Sequence, residues 1–273
     1  MWNGGAGFSP ISVMEDCTID GQGHTITGLH IDRTDLYQTG FIQQIKNSVL
    51  KNIGFDDIYI KGNHNVGGMF GLQYYGNVTV ENCYTTGTIV ASRAAGGIGG
   101  YSRDGLNIIN CHSDCSVSCG DQAGGIIGYS EGTIERTYAT GEITGGGKSS
   151  GGLVGWLYNG TANNCYATGN VHGYDTVGGL IGSGGTVYNC YSTGQVQGTY
   201  NLGGLSGGHT NATNSYWNTE TSGMSISYGG YGRTTDQMTD PYADNTYVGW
   251  DFTNIWINAG SGTYPILVPV TSP

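Results

Sequence analysis

The sequence predicts an all-β protein, a β-solenoid (parallel β-helix) with coils of about 25–30 residues. Two recurring phrases carry this prediction. The first is Gly-Gly-apolar-X-Gly, whose second glycine falls at positions 68, 97, 125, 152, 179 and 204. The second is Asn-Cys-Tyr-(Ala/Ser/Thr)-Thr-Gly, which is complete at residues 82–87, 164–169 and 189–194 and degraded elsewhere. Both series advance together, so insertions between copies lie mainly in turns.

Composition supports this fold class and excludes others. The 52 glycines among 273 residues are periodic and interleaved with apolar residues and tyrosine, which is typical of turns between short strands. No apolar run is long enough to span a membrane, and no extended stripe predicts a helix. The formal net charge of −11 argues against partners that present phosphate, namely nucleic acid and anionic lipid.

One repeat unit contains the elements of one coil. Within residues 177–198, an apolar stretch around Leu180, the segment 186–191 and the alternating segment 195–197 are each expected to form a strand, with glycine turns between them. A unit of this size cannot bury a face alone, so units stack. Parallel strands in register, about 4.8 Å apart, are the predicted arrangement. An antiparallel array of hairpins remains the alternative.

The repeats divide the chain into three predicted regions. Residues 1–66 are expected to form divergent N-terminal coils, and residues 67–216 the regular solenoid. Residues 217–273 lose the repeat and are rich in aromatic side chains, which predicts a C-terminal cap over the last coil. The start lacks the charged and apolar segments of a secretory signal peptide, so we expect a mature form, a fragment or a missing start.

The two phrases together resemble the GLUG motif, Gly-Gly-Leu-Val-Gly followed by Asn-Cys-Tyr-Ala-Thr-Gly. Residues 151–169 match it almost completely, and residues 178–194 and 67–87 match nearly as well. Two units depart from it, with His112 in place of tyrosine and Thr137 in place of cysteine. The resemblance implies a large secreted or surface-attached microbial protein, often adhesin-like. It implies no catalytic residues.

Seven cysteines are candidates for disulfide or interchain bonds: Cys17, Cys83, Cys111, Cys115, Cys119, Cys165 and Cys190. Two pairs lie in adjacent coils: Cys83 with Cys111, and Cys165 with Cys190. Stacking in register would bring the Cα atoms of each pair within disulfide range. A ladder of reduced, buried thiols is the favoured alternative, because flat parallel stacking does not favour the disulfide dihedral angle.

The other three cysteines have a different expected role. Cys115 and Cys119 fall in a divergent unit and are expected to lie outside the core. Together with Cys17 they are the best candidates for an exposed or interchain bridge.

Two polar or aromatic series accompany the repeats. The tyrosines form a candidate contact stripe if they point outward and ordinary core if they point inward: Tyr84, Tyr138, Tyr166, Tyr191 and Tyr216. Core or solenoid edge is favoured. The asparagines are expected to form a structural ladder of stacked amides: Asn52, Asn82, Asn110, Asn164, Asn189 and Asn214.

Modification and metal sites are weaker expectations. Three sequons predict glycosylation at Asn77, Asn159 and Asn211, which follow the Gly-Gly phrase at similar distances and are expected at one corner. None of the six histidines is spaced as a metal or catalytic pair. No cofactor is expected, although acidic residues such as Glu15, Asp20 and Asp56 could bind calcium across coils.

These observations predict a non-enzymatic structural or adhesive protein of a microbial cell surface. The solenoid would be a rigid spacer and contact surface, and it could assemble with itself into an envelope layer or fibre with disulfide cross-links. Its partners would be other copies, surface proteins or glycans. The alternatives are a polysaccharide lyase or hydrolase, because such enzymes use the same fold, and a glycan-binding module.

Overall fold

The structure is a computed structural model that describes residues 2–269. A short 3₁₀ helix, Trp2–Gly5, precedes the first strand. The chain then winds through four sheets, I to IV, in the same order in each of the first seven coils.

Each sheet takes one segment from each coil. Sheet I contains Ile11–Glu15, Ile42–Lys46, Phe70–Gln73, Gly99–Ser102, Ile127–Ser130, Val154–Leu157 and Ile181–Ser183. Sheet II contains Thr18–Asp20, Val49–Lys51, Val78–Glu81, Leu106–Ile109, Thr133–Glu135, Thr161–Asn163, Thr186–Tyr188 and Asn211–Thr213. Sheet IV contains Gln38–Thr39, Asn65–Gly67, Ala94–Gly96, Gln122–Gly124, Ser149–Gly151, Asp175–Gly178 and Tyr200–Gly203.

Sheet III is the widest, because a bend splits it into two strands in several coils. It contains Thr25–Thr27, His30–Arg33, Gly54–Gly62, Tyr84–Ala91, His112–Cys119, Tyr138–Ala139, Ile143–Gly145, Tyr166–Ala167, Val171–His172, Tyr191–Ser192, Val196–Gln197, Tyr216–Asn218 and Tyr231–Arg233.

Neighbouring coils pair in parallel and in register, apart from one shift where Gly54–Gly62 pairs with Tyr84–Ala91 in sheet III. In sheet II, for example, Val80 pairs with Ile108, which pairs with Ile134. Among the described strands the only antiparallel pair is Trp256–Ile257 with Ile266–Leu267, outside the solenoid. The predicted β-solenoid is therefore confirmed, and the hairpin array is wrong. The boundaries predicted after residues 66 and 216 stay predictions.

The Gly-Gly phrase lies at the corner between sheets IV and I. Gly125 donates its N–H to the Gly152 carbonyl of the next coil at 3.1 Å. A Cβ atom on Gly152 would lie 2.2 Å from the carbonyl oxygen of Gly179. The coils approach too closely at this corner for any side chain, which explains why the phrase recurs.

The asparagine of the second phrase lies at the corner between sheets II and III. Six asparagines there have φ between 47° and 53°: Asn52, Asn82, Asn110, Asn164, Asn189 and Asn214. Asparagine tolerates this left-handed conformation better than most residues. The Asn110 amide donates to Asn82 Oδ1 at 3.2 Å, and the Asn82 amide to Asn52 Oδ1 at 3.1 Å. The expected amide ladder therefore forms in the N-terminal half.

The C-terminal segment does more than close the last coil. Tyr231–Arg233 adds a final strand beside Tyr216–Asn218, with the helix Thr219–Ser222 between them. After a second helix, Thr235–Met238, the chain turns back and runs over the outer face of sheet III. The prediction of a terminal cap was therefore incomplete, because the second half packs on the side of the solenoid. Residues 270–273 of the predicted cap lie outside the described residues.

Candidate functional site

A single register position on the outer face of sheet III forms an aromatic column. Its members, from the first coil to the last, are Thr25, Gly54, Tyr84, His112, Tyr138, Tyr166, Tyr191, Tyr216 and Tyr231. From Tyr84 to Tyr191 the rings stack face to face, with centroids 4.7–5.2 Å apart and planes within 8° of parallel. Each ring is carried by a different coil, so the spacing follows from the coil repeat.

The C-terminal segment buries one end of this column. Tyr191 and Tyr216 are 1% and 2% exposed. The Tyr191 hydroxyl donates to the Pro265 carbonyl at 2.8 Å, and Trp256 Nε1 donates to Asn164 Oδ1 at 3.2 Å. This burial raises the pKa of Tyr191 well above its usual value. These tyrosines point away from the solenoid interior and form a second core with the C-terminal segment.

The other end of the column is open to solvent. Tyr84, His112 and Tyr138 are only half-buried, and the edge of the C-terminal segment stands beside them. Together they form a groove of about 540 Å³. It is lined by Asn82, Cys83, Tyr84, Asn110, Cys111, His112, Arg136, Tyr138, Tyr166, Asn254, Ile255, Ile266, Leu267, Val268 and Pro269. We call this feature the column groove.

Two residues of the column groove depart from the repeat. Arg136 takes the corner position of the asparagines, with φ at 46°, although arginine rarely adopts this conformation. Its Nε is buried and 3.5 Å from Glu135 Oε1, an ion pair without a hydrogen bond. His112 replaces a tyrosine, and burial lowers its pKa below the usual value, so its imidazole is neutral at pH 7.

The column groove therefore combines aromatic edges, amides and one guanidinium with an apolar wall. Asp114 lies two residues from His112 on the same strand and accepts a hydrogen bond from the Thr140 hydroxyl at 2.7 Å. This mixture can hydrogen-bond a polar ligand and pack against its apolar parts. The predicted contact stripe stays a prediction, restricted now to Tyr84 and Tyr138. Sequence reasoning missed Arg136, although its place in the asparagine series was a visible signal.

The cysteines of the second phrase belong to a hydrogen-bonded column inside the solenoid. The thiols of Cys83, Cys111, Cys165 and Cys190 each donate to the carbonyl two residues earlier, at 3.0–3.2 Å. Thr137 and Ser215 take the same register position in their coils and make the same bond with their hydroxyls. From Cys83 to Ser215 the position therefore holds a small donor, and thiol and hydroxyl serve alike, whereas the preceding coil has Ile53 there.

No disulfide is present among the cysteines, all of which lie in the described residues. The expectation that Cys115 and Cys119 lie outside the core was wrong. They alternate inward with Val117 on the strand His112–Cys119, and burial raises the pKa of both thiols to about 11. Burial also keeps the Cys111 and Cys165 thiols protonated. Cys17 alone is exposed.

The three sequon asparagines share one corner, between sheets I and II. Asn77 and Asn159 shortly precede strands of sheet II, Asn211 begins one, and all three are exposed. The structure therefore brings them to one edge of the solenoid, as the spacing predicted. Glycosylation at these sites stays a prediction.

Titratable groups elsewhere are dispersed. Within residues 2–269 no three His, Cys, Asp or Glu side chains are arranged to hold a metal ion. The carboxylates considered for calcium have protein partners: Glu15 pairs with Lys46, Asp20 with Lys51 and Asn52, and Asp56 with Thr86. Calcium binding stays a prediction. None of the helices in the described chain has the length and apolar character to cross a membrane.

Comparisons with known proteins agree with the sequence and the fold. The profile of the GLUG motif matches residues 146–171, which confirms the resemblance. Halomucin of Haloquadratum walsbyi is 36% identical over 106 residues, which are 37% of this chain and 1% of Halomucin. The chain thus spans a very small part of this relative.

A solved structure shares the architecture. It is a Bacteroides ovatus protein provisionally described as an immunoglobulin A1 protease. The two chains are 26% identical with a TM-score of 0.59, and the match covers 92% of this chain and 77% of the other.

Proposed function

We propose that this chain is a non-enzymatic module of a microbial surface or secreted repeat protein, a rigid spacer that also presents a contact site. The observation that carries the proposal is the continuous parallel pairing of the coils from Ile11 to Thr213, with one register shift between Gly54–Gly62 and Tyr84–Ala91. The GLUG motif and the similarity to part of Halomucin support a surface or secreted location.

The spacer role rests on how the coils join. Every coil hydrogen-bonds only to its neighbours through parallel ladders, so stiffness and length both grow with coil number. Seven to eight strands per sheet in sheets I, II and IV give a rod of roughly 35 Å at about 4.8 Å per coil. A body of this kind holds its two ends at a constant separation.

The contact role is assigned to the column groove. Polar groups converge in this cleft of about 540 Å³, and its aromatic rings and amides suit a glycan or a peptide segment. Self-assembly is part of the proposal, with Cys17 as the position for any interchain disulfide, because the other thiols are buried.

The enzymatic alternative has one observation in its favour, the similarity to the Bacteroides ovatus protein. The chemistry of this chain favours the non-enzymatic reading. Burial raises the pKa of four thiols, which makes them poor nucleophiles: Cys111, Cys115, Cys119 and Cys165. His112 stacks between two tyrosine rings and has no hydroxyl or thiol nucleophile aligned with it.

A pair of assays tests the proposal on the purified chain. Binding to microbial cells, to immobilised glycans and to itself is measured, and immunoglobulin A1 and a polysaccharide panel are incubated with the chain to detect cleavage. We expect binding without turnover, and weaker binding for Tyr138→Ala. Cleavage of either substrate class would overturn the proposal, and so would a strictly monomeric chain that binds nothing.

A further inference from the structure

A second outward column lies on sheet I, and the C-terminal segment does not cover it. Its register-matched members are Val13, Gln44, Leu72, Tyr101, Tyr129, Trp156 and Ser183. The four central members are apolar or aromatic, and the positions at either end of them are polar. The rings of Tyr101 and Tyr129 stack at 4.4 Å with planes 4° apart.

Trp156 turns out of this stack and is partly exposed. Its ring lies 5.8 Å from that of Tyr129 at an interplanar angle of 72°. The next coil offers only Ser183 at this position, so no ring covers the other side of Trp156. Tyr158, 46% exposed, stands at 81° to Trp156 with centroids 6.1 Å apart. The two rings are therefore nearly perpendicular.

The opposite end of the patch repeats this arrangement. Tyr74 and Tyr75 are 50% and 58% exposed and meet edge to face at 82°. The Arg103 guanidinium lies over the Tyr74 ring at 4.7 Å, and Lys46 Nζ lies 5.0 Å from the Tyr75 ring. We call the whole surface, from Tyr74 to Tyr158, the sheet I patch.

The size of the sheet I patch decides against a folded protein partner. Strands of four residues across four coils cover about 13 Å by 15 Å, roughly 200 Å². A stable protein interface buries about 800 Å² on each side. An extended polysaccharide is one sugar wide and fits this outline. The spacing between coils along the solenoid axis is also close to the length of one sugar ring in such a chain.

The charges of the sheet I patch decide against a polyanion. The cations Arg103 and Lys46 are offset by Glu131 and Glu15, and Lys46 pairs with Glu15. Glu131 accepts a hydrogen bond from the Tyr129 hydroxyl at 2.8 Å. The net charge of −11 repels an acidic polymer further. These four charged side chains can hydrogen-bond the hydroxyl groups of a ligand. Their charges cancel, which suits a neutral ligand.

We propose that the sheet I patch binds a neutral polysaccharide along the solenoid axis, with sugar rings packed against Trp156 and the exposed tyrosines. This adds a second contact surface to the module proposed above and does not depend on the column groove. The site is separate from the column groove, because sheets I and III form different sides of the coil.

The test uses the full chain made in a host without N-glycosylation, since Asn77 and Asn159 flank the sheet I patch. Affinity electrophoresis and calorimetry with soluble β-glucan, xylan and galactomannan are compared with polygalacturonate and alginate. Trp156→Ala and Tyr101→Ala should weaken binding of at least one neutral polymer by about fivefold or more. Tyr188→Ala, an exposed tyrosine on sheet II, is the matched control and should change nothing.

The outcomes separate this proposal from the previous one. Binding lost in Tyr138→Ala but kept in Trp156→Ala would overturn the sheet I patch and leave the column groove. Binding only of acidic polymers, or none, would overturn the sheet I patch as well. Thermal unfolding of each variant must match that of the parent, and Trp156→Phe should restore most of the affinity if ring packing is the cause.

Discussion

The two outward columns of the solenoid are built in the same way but differ in their exposure to solvent. On sheet III the rings from Tyr166 to Tyr216 are sealed beneath the C-terminal segment, whereas on sheet I Tyr101 and Trp156 remain at the surface. Both arise because parallel register places one residue of every coil at the same height on a face. Whether such a column is core or surface depends on which face the rest of the chain covers.

The largest expected effect comes from the sealed column. Tyr191→Ala removes a fully buried ring and its hydrogen bond to Pro265, and should lower the free energy of unfolding by about 3–5 kcal/mol. Tyr200→Ala, at a position 54% exposed on sheet IV, should cost no more than about 0.5 kcal/mol. Denaturant unfolding measures both. Equal losses would mean that the sealed column is not a second core.

A smaller loss in the free energy of unfolding is expected at the Gly-Gly corner between sheets IV and I. Gly152→Ala places a Cβ atom 2.2 Å from the Gly179 carbonyl oxygen and should cost about 1–3 kcal/mol by forcing adjacent coils apart. Gly146→Ala is the control, because the nearest atom to its Cβ would be 3.3 Å away. If thermal unfolding showed both variants equally stable, the close stacking at this corner would be wrong.

The thiol column predicts a difference between two replacements at one position. Cys190→Ala removes the acceptor for Cys165 N–H and the donor to the Tyr188 carbonyl, and should cost about 1–2 kcal/mol. Cys190→Ser retains both roles, as Ser215 does one coil later, and should cost less. Chemical denaturation of the pair measures the difference. A serine variant less stable than the alanine variant would contradict the hydrogen-bonded column.

The smallest effect concerns pH at the edge of the sealed column. Burial holds the pKa of His112 below its unfolded value, so the unfolded chain binds more protons below about pH 6.5. Folding stability from this group is therefore lost as pH falls. His112→Tyr, which restores the repeat, should unfold at a higher temperature than the parent, and the gap should widen from pH 7 to pH 5. A gap independent of pH would show that His112 does not titrate as described.

Periodic features could be predicted from the sequence, and non-periodic ones could not. The strands, the asparagine corner and the inward cysteines recur at the coil spacing. The sheet I column was also visible in principle, because Tyr101, Tyr129 and Trp156 each stand four residues after the second glycine of their phrase. The path of the C-terminal segment had no such signal. Trp256 reaches Asn164, 92 residues earlier, through tertiary packing alone.

Departures from the repeat were harder to interpret than the repeat itself. Cys115 and Cys119 were expected outside the core because their unit diverges from the motif, yet strand alternation turns both inward. Alternation along the strand was therefore the better guide than similarity to the consensus.

The contrast between a sealed and an open column is tested most directly by hydroxyl-radical footprinting of the intact chain, with and without a neutral polysaccharide that it binds. Trp156 and Tyr158 should be modified readily and become protected by the polysaccharide, while Tyr191, Tyr216 and Trp256 should remain unmodified throughout. Modification of Tyr191 at the rate of the exposed Tyr200, or labelling of Trp156 that the polysaccharide leaves unchanged, would contradict the account.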